Sequence, residues 1–352
     1  MREVPAERAE GVGRAGRSDD TYARSAGSPL KGAGEPGRAR TKQFLTTGRG
    51  GAVGGIAVAL RTTAPGRTLG PLMRPLLLAA VLLAACDRPA PPAPPAAAVG
   101  VDPEVVPYRL DAPDAVVPLP AELQEVSGLT LLPSGRVGAV QDEAGVIFEV
   151  DPLTGDVVSR ERFADPGDYE GLELTPDAVW VLESDGDLYR TTRGAGGGVE
   201  TERFETALER ENDAEGLGYD LARGRLLVAC KEDPGPGLEG VRAVYAFSLA
   251  TRTLSERPAF TLDRAVVDGA DDFKPSALAV HPNTGRVYVL SSVRKALAVV
   301  EPDGTLAVVV ELPPSLYPQP EGIAFAADGT LFISNEGPVG AGTLLRFAPV
   351  AP

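Results

Sequence analysis

The chain has 352 residues, with 34 Lys and Arg against 49 Asp and Glu, a formal net charge of −15, one histidine and two cysteines. An acidic balance of this size repels nucleic acid and anionic lipid surfaces, so neither is expected as a direct partner. A lone histidine disfavours a zinc site, and two cysteines with different expected fates leave no structural disulfide.

Residues 1–72 are rich in Arg, Gly, Ala and Ser and hold 12 basic against 6 acidic residues. Such a stretch buries too little apolar surface to offset chain entropy, so it reads as a disordered or untranslated upstream segment. Met73 stands where a signal peptide would begin. Residues 73–85 run from Met73-Arg74 through a Leu/Ala-rich core to Ala84-Ala85, directly before Cys86. A basic residue, an apolar core and small residues before a cysteine form a bacterial lipoprotein signal, with Cys86 as the lipidation site. An ordinary cleaved signal is the alternative. Pro75 to Ala85 is too short for a membrane span, which needs ~20 residues. Residues 86–104 are a Pro/Ala-rich tether. The expected location is the cell envelope, with the body facing the periplasm or exterior, touching the membrane through lipid only. From Cys86 onward the chain holds 21 basic and 43 acidic residues, and residues 105–350 suffice for one core in a monomer.

That body repeats itself. Val126-Ser127-Gly128-Leu129, Tyr169-Glu170-Gly171-Leu172, Ala214-Glu215-Gly216-Leu217, Pro275-Ser276-Ala277-Leu278 and Pro320-Glu321-Gly322-Ile323 are versions of one signature, spaced by 43, 45, 61 and 45 residues. The long interval has room for insertions such as 232–237. Each unit reads as four short strands; in the second they fall at 171–174, 179–182, 187–191 and 199–204, separated by turn residues. Four strands per ~45 residues is the pattern of a β-propeller blade. The fold class expected is all-β: a five-bladed β-propeller with four antiparallel strands per blade. The last unit lacks its outer strand, and Tyr108 to Leu119 supplies it, closing the ring by pairing the two ends of the chain. A six-bladed ring ranks second, for want of about 45 residues. Cys230, in the apolar run 226–230, is expected to pack as a small hydrophobe.

In a propeller the innermost strand starts at the mouth where the second strand ends, because the two are antiparallel neighbours. The signature therefore places Ser127, Glu170, Glu215, Ser276 and Glu321 at one mouth of the axial channel. Two residues earlier come Glu125, Asp168, Asp213, Lys274 and Gln319. The second strands end there with Gln141-Asp142-Glu143, Glu183-Ser184-Asp185, Cys230-Lys231-Glu232, Ser291-Ser292-Val293 and Ser334-Asn335-Glu336. Crowded carboxylates raise one another's pKa unless a cation sits among them, and an oxygen-only set suits a hard cation such as Ca²⁺. The candidate metal ligands are Glu170, Glu215, Glu321, Asp168, Asp213, Glu125, Glu143 and Glu336. A solvated acidic rim without an ion is the alternative. The fourth blade, with Lys274 and Ser276, leaves a neutral or basic side for ligand entry. His281, in the turn His281-Pro282-Asn283, is expected on the opposite face.

These motifs resemble the SdiA-regulated family of bacterial five-bladed propellers. The resemblance rests on Glu125 to Leu129, Gln141 to Gly145, Gly167 to Gly171, Asn212 to Gly216, Pro275 to Pro282 and Gln319 to Ile323. It implies a five-bladed ring with a calcium site, and it implies no settled activity.

Two function classes follow. One is a membrane-anchored, calcium-binding module for an unidentified small-molecule or protein ligand. The other is a metal-dependent hydrolase of the lactonase or phosphoesterase kind, with Asp168, Asp213 or Glu143 as base; no further catalytic residue is assigned. Gly-x-Ser-x-Gly is absent, which disfavours a serine triad. The glycine-rich stretch Arg193 to Gly198 lacks the Lys-Ser/Thr of a phosphate-binding loop and reads as a hairpin tip.

Overall fold

A computed structural model of the chain describes residues 102–267, 273–337 and 339–350. The upstream segment 1–72, the signal 73–85, Cys86 and nearly all of the tether 86–104 lie outside the described residues.

Strands β1 (Ala115–Pro118), β2 (Val126–Leu131), β3 (Val137–Gln141), β4 (Val146–Val150) and β5 (Val157–Arg162) open the fold. They are followed by β6 (Tyr169–Leu174), β7 (Val179–Glu183), β8 (Leu188–Arg193) and β9 (Val199–Phe204). Next come β10 (Ala214–Asp220), β11 (Arg225–Cys230), β12 (Val241–Ser248), β13 (Thr253–Leu254) and β14 (Phe260–Asp263), then the helical turn α1 (Arg264–Val267). The last strands are β15 (Ala277–Val280), β16 (Val287–Ser291), β17 (Ala296–Val300), β18 (Leu306–Glu311), β19 (Pro320–Phe325), β20 (Leu331–Asn335) and β21 (Thr343–Phe347). They form five antiparallel sheets, β2 to β5, β6 to β9, β10 to β14, β15 to β18, and β19 to β21 with β1. The innermost strands β2, β6, β10, β15 and β19 touch in that order, and β19 returns to β2. This is a five-bladed propeller, with the strands of the second blade within two residues of their sequence-based bounds.

The ring closes as the sequence indicates. β1 pairs antiparallel with β21, with Val116 opposite Leu345 and Val117 opposite Leu344, so the edge of β21 is covered. Upstream of β1, Tyr108 donates its hydroxyl to the Gly329 carbonyl at 2.6 Å, and Tyr317 donates to the Leu110 carbonyl at 2.8 Å. The third blade departs from the pattern. Its outer edge is split between β13 and β14, both paired with β12. The long third interval therefore comes from two places, the connection between β11 and β12 and the stretch from β13 to β15.

Blades pack face to face, and each interface holds its own apolar cluster. Trp180, Leu182, Leu226, Val228 and Phe247 fill the gap between the second and third blades, with Cys230 packed among them. Phe163, Tyr169 and Tyr189 stack edge to face between the first and second, with ring centroids 4.8–5.8 Å apart. Near the axis, at the four signature glycines, the gap leaves no room for a side chain. A Cβ at Gly171 would lie 2.6 Å from Leu217 Cβ, and one at Gly128 would lie 2.7 Å from the Leu172 nitrogen. Signature glycines sit there because the neighbouring inner strand occupies the place of a side chain.

We expect Gly171→Ala to lower stability by roughly 1–3 kcal/mol through overpacking. Gly196, with nothing within 4 Å of its Cβ position, is the control; its alanine variant should stay within about 0.5 kcal/mol of the parent. Urea midpoints at unchanged slope measure both. Equal midpoints for the two variants would refute the close approach of the inner strands.

Candidate functional site: the acidic mouth of the channel

Four of the five signature residues lie at an irregularity in the ladder between the first two strands of their blades. The register steps from Val126 to Gly128, Tyr169 to Gly171, Ala214 to Gly216 and Pro320 to Gly322. The residues left out of the ladder are Ser127, Glu170, Glu215 and Glu321. A bulge frees one residue from strict in-and-out alternation and re-aims its side chain. Ser276 holds the equivalent place just before β15, its amide donating to the Leu290 carbonyl at 2.9 Å.

The serines and the glutamates then divide the work. Ser127 donates its hydroxyl to the Tyr169 carbonyl at 2.6 Å, and Ser276 donates to the Pro320 carbonyl at 2.8 Å. Those carbonyls belong to the residues immediately before Glu170 and Glu321. Each serine thus staples its blade to the next and fixes the peptide that carries a glutamate. Glu170 and Glu215 line the axial neck, which encloses only about 10 Å³, about the space of one water-sized sphere. The channel narrows at this level to about the space of a single water.

Burial is the first cause of the shifts in the three glutamates. It pushes Glu170 up to about 8, reinforced by Asp168 and Glu321 and opposed by Lys231. Glu215 is raised well above the usual carboxylate range by burial and by Glu170. Glu321 is raised by burial, while Ser292, Lys231 and Gln319 pull it back. Lys231, from the end of β11, donates to Glu215 and lies 3.9 Å from Asp213. Burial alone would lower its pKa, but Glu215, Asp213 and Glu321 reverse that and raise it. Lys295 of the fourth blade donates to the Ser292 carbonyl at 2.5 Å and adds a second positive charge that acts on Glu321.

A second tier of acids surrounds this centre. Asp168 accepts from Ser184 Oγ at 2.6 Å, and Glu336 accepts from Gln319 Nε2. Burial, with Glu321, Asp142 and Glu125, pushes Glu336 up to about 7. Asp142 is raised to about 6 by burial and by Glu125, Glu143 and Asp168, and its Oδ1 is buried with no hydrogen-bond partner. Asp213, raised first by burial, adopts a left-handed backbone at φ 50°, and its carbonyl accepts the Lys231 amide at 2.8 Å. Glu125 and Glu143 are exposed at the rim. All eight acids named from the sequence therefore belong to one electrostatic network, three at the axis and the rest around them.

Sequence reasoning places Asp142, Lys231 and Gln319 at this mouth but gives them no role, and it does not bring Lys295 there. Asp142 and Lys231 stood inside the very strand-end runs that were read for acids, and only the fold shows which member of each run turns inward. Lys274 pairs with Glu232, so the fourth blade does bring positive charge to this face. Among the described residues no three acid, His or Cys side chains converge at metal-ligand spacing, and the Lys231 ammonium sits against Glu215 where an ion would draw the glutamates together. His281 is buried at the other end of the molecule, its Nε2 3.1 Å from the Tyr108 hydroxyl.

Solved structures with a similar fold include glutaminyl cyclase from Myxococcus xanthus (14% identity, 67% of this chain and 95% of that chain, TM-score 0.49). A streptogramin B lyase is also similar (16%, 66% and 68%, TM-score 0.39), as is a gluconolactonase from Xanthomonas campestris (16%, 63% and 72%, TM-score 0.42). No curated protein matches the sequence. The SdiA-regulated family profile matches residues 115–339. That match covers more than half of the chain, which therefore belongs to the SdiA-regulated family.

Proposed function

We propose that the protein is a binding module of the cell envelope, held by a lipid on Cys86, whose acidic mouth takes a divalent cation, Ca²⁺ foremost, and through it a small-molecule or protein ligand. The observation that carries this reading is the electrostatic crowding of three bulge glutamates, Glu170, Glu215 and Glu321, at the axial neck. So many carboxylates in a desolvated place either hold protons or hold a cation. The donor set is oxygen throughout, and the orphaned Asp142 Oδ1 is a further oxygen facing no donor. These features fit a hard cation. Glu170, Glu215 and Glu321 would hold it, with Asp168 and Asp142 nearest in support, once Lys231 swings away from Glu215. The lysine is then a built-in competitor that sets a threshold for binding.

A second reading, a metal-dependent hydrolase, draws on the carboxyls pushed toward neutrality. Asp142 at about 6 and Glu336 at about 7 lie where a general base works best. The cation would polarise a carbonyl or phosphoryl oxygen. Asp168, held by Ser184, then has the orientation a base needs, while Glu143 at the exposed rim is the weakest candidate of the three named from the sequence. The lone histidine at the far end supports neither a serine triad nor imidazole catalysis at this mouth.

Three outcomes are expected. First, Ca²⁺ at about a hundredfold over its dissociation constant should add roughly 2.7 kcal/mol to stability. Glu170→Gln should abolish that gain, and Lys231→Met should let it appear at lower Ca²⁺. A flat response to Ca²⁺, Mg²⁺ and Mn²⁺ in both parent and Lys231→Met would sink the cation reading. Turnover of lactones or phosphoesters that requires the metal and vanishes in Glu170→Gln would favour the hydrolase.

Second, stability in EDTA should fall as pH rises from about 5 to about 8. Glu170 and Glu336 keep protons in the folded state up to about 8 and 7, whereas the unfolded chain releases them near 4.5. The native state binds more protons across that window, so the slope is negative. Saturating Ca²⁺ should flatten it, and melting curves across the window test both points. Third, Cys86→Ser should move the protein from the membrane to the soluble fraction and stop incorporation of labelled fatty acid. Membrane retention by the serine variant would remove the anchor from the proposal.

A further inference from the structure

At the end of the channel away from the acids, the inner strands open into a second cavity of about 490 Å³, within the range of small-ligand sites. Each blade contributes one residue at the same step of its inner strand: Leu131, Leu174, Tyr219, Val280 and Phe325. Each of these residues follows its signature residue by four positions, and the four aliphatic or phenyl side chains with the Tyr219 ring make the walls apolar. Among the described residues lining this vestibule, Glu173 alone is charged.

Glu173 lies one residue inside the rim, on the second blade. Its Oε1 accepts from Thr130 Oγ1 at 3.1 Å and from the Leu174 amide at 2.9 Å, and its Oε2 accepts from the Tyr219 amide at 3.1 Å. The carboxylate is thus held by three blades. None of its donors is charged, and among the described residues it has no ion-pair partner. It is half-buried and lines the cavity. Neutral donors satisfy some of its lone pairs but leave its charge uncompensated, and an uncompensated charge in such a place is costly. The neck of about 10 Å³ separates it from Lys231 and Lys295 at the other mouth, so neither of these two lysines reaches it.

We infer that this vestibule is a second, independent ligand site, built for a small organic ammonium with an apolar body. The ammonium would sit against Glu173, and the body would fill the space walled by Leu131, Leu174 and Val280. The Tyr219 and Phe325 rings add the surface on which cations are favourably held. An anion would be repelled by Glu173, and a neutral molecule would leave its charge uncompensated.

The test uses the purified protein with three isosteric probes, benzylammonium, benzyl alcohol and benzoate, followed by NMR line broadening of the probe. Benzylammonium should bind about tenfold or more tightly than benzyl alcohol, through its charge-assisted contact, and benzoate should not bind. Glu173→Gln should erase the preference. Leu221 lines the rim and is 66% exposed, so Leu221→Arg should fold normally and weaken benzylammonium binding, while Leu221→Glu should strengthen it. Glu170→Gln, at the acidic mouth, should leave it unchanged. Equal binding of the ammonium and the alcohol, no binding at millimolar concentration, or loss in Glu170→Gln without any effect at Leu221 would each overturn the assignment. Because the readout needs no metal, it stands or falls separately from the calcium reading.

Discussion

Regular strands cannot by themselves crowd carboxylates onto an axis, since strict alternation sends every second side chain into a neighbouring blade. In four of the five blades a bulge at the entrance of the inner strand breaks that alternation at one residue. It does so next to a glycine, because the adjacent inner strand leaves no room for a Cβ at Gly128, Gly171, Gly216 or Gly322. The pair of residues therefore has one physical origin. Close approach of inner strands demands the glycine, and the bulge that accommodates it releases the preceding residue toward the channel. Where that residue is Glu, charge gathers at the axis; where it is Ser, a hydrogen bond ties one blade to the next.

The alternation of these two roles balances the mouth. Glu170 and Glu321 repel across the axis, and the peptides that carry them are gripped by Ser127 and Ser276. Repulsion that would open the ring is thus resisted at the backbone next to its source. The third glutamate, Glu215, is held differently, by the Lys231 ammonium at the end of its own second strand. A serine in place of Glu215 would take from Lys231 its hydrogen-bonded partner and leave it only the more distant Asp213 and Glu321 charges, so the lysine and the glutamate are understandable as a pair.

The fold was readable from the chain because a repeat of about 45 residues, with glycine at a constant place, reports a geometric requirement rather than a propensity. The outer strand from residues 115–118 was readable for a related reason: an unfinished last blade must be completed from the other end. The acids were readable as a face, since position along antiparallel strands decides which mouth a residue reaches. Their tiers were not. Nothing in Gln141-Asp142-Glu143 says that Asp142 turns inward while Glu143 stays exposed. Nor does Cys230-Lys231-Glu232 say that the lysine reaches Glu215. Those outcomes depend on the twist at each strand end and on what the neighbouring blade offers, which is tertiary information. The split outer edge of the third blade escaped for the same reason, because β13 and β14 carry no signature of their own.

The narrow neck gives the molecule two chemistries that do not communicate by diffusion of a ligand. Above it, burial raises carboxyls that already have counter-charges in Lys231 and Lys295. Below it, burial pushes the Glu173 carboxyl up to about 7 with no lysine or arginine among the described residues to offset it, and three hydrogen bonds pull the other way. The two ends therefore ask for different partners. The upper mouth has more negative charge than its lysines neutralise and many oxygens around it, the conditions for a small hard cation. The lower vestibule has one carboxylate and apolar walls, the conditions for a single charge on a greasy body. What keeps them apart is the same row of glycines and bulges, since a wide water-filled channel would screen both sets of charges and weaken both preferences.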